Sequence, residues 1–145
     1  LDLNLLVGEA LVVDATHAKQ ISGTELTAMQ IPDNTKRVLF LTRNSERWHR
    51  NREEFFEDYV GITHSGADWL IKHGIRLVGI DSLSVATISQ SVPTHKALLG
   101  AGITIVEGLY LEGMNPGKYK LICLPIKLMD LDGAPARAIL IELPS

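Results

Sequence analysis

Cysteine is almost missing from this 145-residue chain. Its single Cys123 has no partner for an internal disulfide, so an oxidising compartment is not required and a reducing, cytoplasmic one is the expectation. Basic runs are missing as well. The net charge is -3, from 14 Lys and Arg against 17 Asp and Glu, which argues against a nucleic-acid surface. No apolar run nears the ~20 residues of a membrane-spanning helix, and no signal or transit peptide is visible. Gly-rich phosphate loops, Gly-x-Ser-x-Gly and Cys-x-x-Cys are absent, so nucleotide-binding, serine-hydrolase and zinc-ribbon readings lack support. The histidines are His17, His49, His64, His73 and His95, and no two stand four apart. Surface or helix-capping positions are expected for the first four.

What is present suits one α/β domain over residues 1–145 with a mixed sheet. The apolar share of 46% is ordinary for a globular chain, and the length is enough for a real core. No repeat, low-complexity tract or linker divides it. Residues 10–15 read as a short strand. Ser22-Gly-Thr24-Glu25 opens a helix, with Thr24 as its expected cap. Pro32-Asp-Asn marks a turn. Residues 37–42 form a strand whose unbroken apolar centre predicts burial on both faces. Residues 43–58 are polar, mixed in charge and studded with Trp48, Phe55 and Phe56; they read as a loop, either a functional lid or a solvated excursion with a partial helix. Residues 59–63 are extended. Thr63 or Ser65 then caps a helix that puts Ala67, Leu70 and Ile71 on one face and stops at His73-Gly74.

The stretch from Val78 to Leu109 organises the rest. Residues 75–80 read as a buried strand that gives way to a loop at Asp81, and ligand sites gather at such strand ends in open α/β sheets. Pro93 starts a helix, with His95 in its first turn, Leu98 and Leu99 toward the core, and Gly100 and Gly102 at its end. Residues 103–106 form a second buried strand, closed by Glu107. Beyond it the chain reads as all β, with a turn at Pro116-Gly117 and strands over 119–126 and 136–143 joined through Asp130-Leu-Asp-Gly133. The expected core includes Leu70, Val78, Ile80, Leu98, Ile103, Ile105 and Cys123.

Gly-Ile-Asp-x-Leu-Ser at 79–84, a histidine after Pro-x, and Val-Glu-Gly-Leu twelve residues beyond that histidine form an ordered set. Arg37-Val-Leu-Phe-Leu-Thr42, Gly66-Ala-Asp-Trp-Leu70, Leu124-Pro125-Ile and Asp132-Gly-Ala-Pro-Ala-Arg137 extend it along the chain. In order and spacing these motifs resemble the cyclase-type metal-dependent hydrolases, which include bacterial kynurenine formamidase, isatin hydrolase and plant cyclase-like proteins. The resemblance implies a swivelling β/β/α fold, of which this chain would be most. It implies hydrolysis of a formamide or cyclic amide, such as N-formylkynurenine in tryptophan catabolism, and assembly into homo-oligomers. It also implies that His95 and Glu107 hold a divalent zinc or manganese ion, together with an aspartate from a His-x-Gly-Thr-His-x-Asp-x-Pro-x-His stretch found upstream in family members. Nothing in this chain matches that stretch. The chain begins at Leu1 rather than methionine, so a processed product or part of something longer is expected, with a companion segment as a possible partner.

The residues themselves leave alternatives open. An imidazole and a carboxylate suit zinc or manganese, but a metal site needs further ligands, and the pair also reads as a capped helix and a surface carboxylate. Asp81 and Ser84 can support a ligand histidine or simply make a turn. Where some relatives carry another acid after the serine, Val85-Ala86 stands here. Thr42, Arg43 and Trp48 follow a buried strand and can line a pocket for a planar substrate, or pin the loop to the core. The rival to a metal-dependent amide hydrolase is a non-catalytic remnant that binds a ligand or partner.

Overall fold

A computed structural model of the chain describes residues 2–50 and 56–143, with the side chains of His49 and Arg50 outside that set. Six strands form one mixed sheet: β1 (Val7–Asp14), β2 (Arg37–Leu41), β3 (Leu77–Ile80), β4 (Thr104–Val106), β5 (Gly117–Pro125) and β6 (Ala136–Glu142). Their spatial order is β4-β3-β2-β1-β5-β6. β1 to β4 pair in parallel, while β5 runs antiparallel to both β1 and β6. The helices are α1 (Leu3–Leu6), α2 (Gly23–Ala28), α3 (Asn44–Arg50), α4 (His64–Lys72) and α5 (Ser91–Gly100). Parallel neighbours need a crossover between them, and α2, α4 and α5 supply those connections.

Alternation along the strands divides the core into two layers. Val13, Val38, Phe40, Val78 and Ile80 meet Leu26, Ala67, Leu70 and Leu98 of the crossover helices. Ala10, Val12, Leu39, Leu77, Leu121 and Cys123 turn to the other face, where Leu6, Leu109 and Leu111 cover part of them. β3 is buried at all four positions, as its unbroken apolar run requires of a strand covered on both sides. Burial also raises the Cys123 thiol above its ordinary value.

Four local expectations are corrected. Ser22, not Thr24, caps α2: its side chain accepts from the Glu25 N–H, and Glu25 reaches back to the Ser22 N–H in a capping box. α5 starts at Ser91 rather than Pro93, which puts His95 in its second turn. Residues 44–50 form the partial helix that one reading of the polar stretch allowed, and residues 51–55, including Phe55, lie outside the described set. Ile71 and Leu99 point outward, at 36% and 59% exposure, because α4 and α5 each cover the sheet with a narrow stripe. Ile105 is only partly buried, since β4 is an edge strand. The other expected core residues, Leu70, Val78, Ile80, Leu98, Ile103 and Cys123, are buried. Thr63 caps α4, and Gly74 and Gly102 close α4 and α5 with φ of 68° and 71°. Among the described residues no helix is long and apolar enough to cross a membrane.

Candidate metal site

The carboxyl ends of β3 and β4 build the site. β4 ends at Val106, so Glu107 emerges at the strand edge, and the Gly108 N–H donates to the Ser82 carbonyl at 2.7 Å. This ties the exit of β4 to the exit of β3. The Val85 N–H donates to Glu107 Oε1 at 2.7 Å. α5 returns across the sheet and brings His95 Nε2 to 3.3 Å from the same oxygen. Both side chains are about one-third exposed. They open on a cleft of about 1020 Å³ whose lining also includes Leu39, Leu121, Cys123 and Tyr110.

His95 is oriented from behind. Its Nδ1 lies 2.8 Å from the Ser91 carbonyl, and a carbonyl only accepts, so Nδ1 carries the hydrogen. With that hydrogen on Nδ1, a ring bearing one hydrogen presents its lone pair at Nε2. A lone pair and a carboxylate oxygen facing each other repel unless a proton or a cation stands with them. Nitrogen and oxygen donors of this kind suit zinc or manganese, so the pair fits as two ligands of such an ion. Among the described residues, no cluster of three or more His, Cys, Asp or Glu side chains could hold one.

Asp81 does something different from orienting His95. It is fully buried, and its Oδ1 accepts from Thr42 Oγ1 at 2.7 Å and Asn44 Nδ2 at 3.4 Å. Its Oδ2 accepts from the Thr42 N–H, the Ser45 N–H and Ser45 Oγ at 2.8, 3.1 and 2.6 Å. Burial pushes the carboxyl above its ordinary value while the Ser45 and Thr42 donors pull it down. The Asp81 carbonyl accepts from Trp48 Nε1 at 2.9 Å. Asp81 thus joins β3 to the start of α3. Ser84 makes a local turn, its Oγ accepting from the Ala86 N–H.

Thr42, Arg43 and Trp48 are outside the lining of the cleft that holds His95 and Glu107. Thr42 is buried against Asp81, Arg43 donates to the Asp58 carbonyl, and Trp48 is pinned as described. His73 caps α4 and stacks on Trp69 at 3.6 Å, while His64 begins that helix. Sequence reasoning missed the Val85 N–H. A backbone donor has no residue signature, so no signal in the sequence marks it.

Plant proteins are among those similar to this chain in sequence. Cyclase-like protein 3 of Oryza sativa subsp. japonica is 44% identical over 98% of this chain and 53% of its own length. Kynurenine formamidase of Geobacillus thermodenitrificans is 38% identical over 97% of this chain and 65% of its own. A solved structure described as a potential metal-dependent hydrolase with cyclase activity superposes with a TM-score of 0.86 at 35% identity, covering 98% of this chain and 69% of that one. The mixed α/β sheet is therefore a cyclase-like fold. The chain spans about half the length of the plant relatives it matches. Residues 1–87 match the family model described as "Putative cyclase", and the chain belongs to that cyclase family.

Proposed function

We propose that this chain carries part of the divalent-metal site of an amide hydrolase, acting on a formamide or cyclic amide of the N-formylkynurenine class. The observation that carries this reading is the approach of His95 Nε2 to Glu107 Oε1, with Nδ1 committed to the Ser91 carbonyl. His95 and Glu107 would hold the ion, zinc or manganese. When bound, such an ion polarises a carbonyl and makes water a stronger nucleophile. This chain's residues contribute the donors, their orientation, and an apolar cleft wall beside them. Kynurenine formamidase among the relatives supports the amide class of substrate.

Two donors fall short of the three protein ligands plus water of an ordinary catalytic zinc site. A companion segment bearing the His-x-Gly-Thr-His-x-Asp-x-Pro-x-His stretch would supply the remainder, and the cleft beside His95 is where it would approach. The assembled protein would be a homo-oligomer. The same ligand count favours the second reading, a non-catalytic remnant that binds a ligand or partner.

A titration of the chain with Zn²⁺, followed by the His95 ring resonances in NMR, tests the metal reading. Shifts at His95 that vanish in Glu107→Ala support it. Unmoved His95 resonances at millimolar zinc contradict it.

A further inference from the structure

The Glu107 carboxylate is aimed by a backbone hydrogen that has its own supports. Val85 lies in the segment leaving β3, and its N–H donates to Glu107 Oε1 at 2.7 Å. The Val85 carbonyl accepts from the Ile62 N–H at 2.7 Å, and the Thr87 N–H donates to the Ile62 carbonyl at 3.1 Å. Tyr59 Oη donates to the Ala86 carbonyl at 2.7 Å. Residues 59–63 and 85–87 therefore run side by side, joined by the parallel bridge Ile62↔Ala86. They touch so closely that a Cβ at Gly61 would lie 2.6 Å from the Ala86 carbonyl carbon.

Residues 59–63 are held in turn by Asn44. Its Nδ2 donates to the Val60 carbonyl at 3.0 Å, and its Oδ1 accepts from the Val60 N–H at 2.9 Å. This two-way clamp fixes the segment's position along its length. Asn44 also donates to Asp81 Oδ1, and the same carboxylate fixes Asn44's neighbours Thr42 and Ser45. Every link in this line is buried or part-buried. A hydrogen-bonded brace leads from Asp81 through Asn44, Val60, Ile62 and Val85 to Glu107.

We propose that Asp81 is a positioning residue for Glu107, acting through Asn44 and the 59–63 segment to set the Val85 N–H. Its relation to ion binding rests on the metal reading above; the brace itself does not. With the Val85 N–H in place, Oε1 is directed at His95 Nε2. Without it, the Glu107 side chain has rotamer freedom at the strand end and meets His95 only part of the time.

The variants Asp81→Asn, Gly61→Ala and Tyr59→Phe test this, with Tyr119→Phe as a control: it loses the bond from the Tyr119 hydroxyl on β5 to the Asn115 carbonyl, outside the brace. Tyr59→Phe removes one hydroxyl and is expected to fold where the other two fail. The readouts are the Val85 amide shift, its hydrogen-exchange protection, and the Zn²⁺ affinity followed at the His95 ring. The expected result is a displaced, less protected Val85 amide in each folded brace variant. Zinc should weaken about 10-fold in Asp81→Asn and Gly61→Ala, the range of lost outer-shell support, and stay unchanged in Tyr119→Phe. An unmoved Val85 amide in these variants, or an equal zinc loss in Tyr119→Phe, overturns the proposal. A displaced Val85 amide with no zinc response in the wild-type chain upholds the brace and overturns the metal reading.

Discussion

His95 Nε2 and Glu107 Oε1 stand 3.3 Å apart, although half a helix, a reversal and a strand separate them in the chain. The spacing works because α5 returns across the sheet and β4 runs forward beside β3. If this pair binds an ion, each member is needed. His95→Ala and Glu107→Ala are each expected to weaken zinc binding by at least about 10-fold, since even outer-shell losses reach that size. Competition against a chromophoric chelator measures it, and wild-type affinity in either variant counts against the pair.

Asp81→Ala should destabilise the chain by about 3 kcal/mol or more, because the Thr42 and Ser45 donors become buried and unsatisfied at ~1–3 kcal/mol each. The carboxylate is fully buried, so water cannot easily replace it. Urea unfolding with the slope compared to wild type is the measurement. A loss within a few tenths of a kcal/mol would mean the cluster relaxes without it.

These two residues illustrate what was legible. The apolar runs of β2 and β3 and the acid at the end of β3 were readable, because continuous β-branched and aliphatic residues force a strand buried on both faces. The helix carrying His95 was readable from Pro93 and the glycines at its end, although it starts ahead of the proline, at Ser91. Its facing was not: Leu98 is buried and Leu99 exposed, and one residue step around a helix decides between them. Polar composition left residues 44–50 open between a lid loop and a partial helix, because Asp81, remote in sequence, organises the first turn of the helix that forms. The pairing of His95 with Glu107 came through family resemblance; the Val85 and Ser91 backbone groups that aim the two side chains leave no trace in residue type.

Arg37 clamps the first helix. Its guanidinium donates to the carbonyls of Asn4, Leu5, Val7 and Glu9. Arg37→Met should cost about 1.5–3 kcal/mol, the scale of a charge-assisted hydrogen bond, and should free α1 first. Hydrogen exchange checks this: faster exchange at Leu5 with β2 and β3 unchanged is expected, and uniform acceleration across the sheet would refute a local clamp.

Acid should weaken the α2 cap. The Ser22 hydroxyl holds the Glu25 carboxyl below its ordinary value of 4.5. A carboxyl lowered in the folded chain binds protons less readily there than in the unfolded chain. Its stabilisation is full above the unfolded value and fades as pH falls through the folded one. The difference in thermal midpoint between wild type and Glu25→Gln should therefore shrink on acidification below about pH 4.3. A difference that grows on acidification would contradict the capping box. Asp81 runs the other way, since burial raises it: the proton-linked part of the stability declines as pH rises through its raised value, while the bonds from Thr42 and Ser45 persist.

If His95 and Glu107 are two donors of a hydrolytic metal site, the chain requires further ligands to act. The direct measurement is metal content by elemental analysis alongside N-formylkynurenine hydrolysis, for the 145-residue chain alone and with a polypeptide bearing the His-x-Gly-Thr-His-x-Asp-x-Pro-x-His stretch. The chain alone should bind zinc or manganese weakly and turn over little or no substrate, since general acid–base help by itself is worth about 100- to 10,000-fold. Adding the stretch, fused or separate, should restore stoichiometric metal and turnover that depends on His95. Tight stoichiometric metal and brisk, His95-dependent turnover by the 145-residue chain alone would contradict the account.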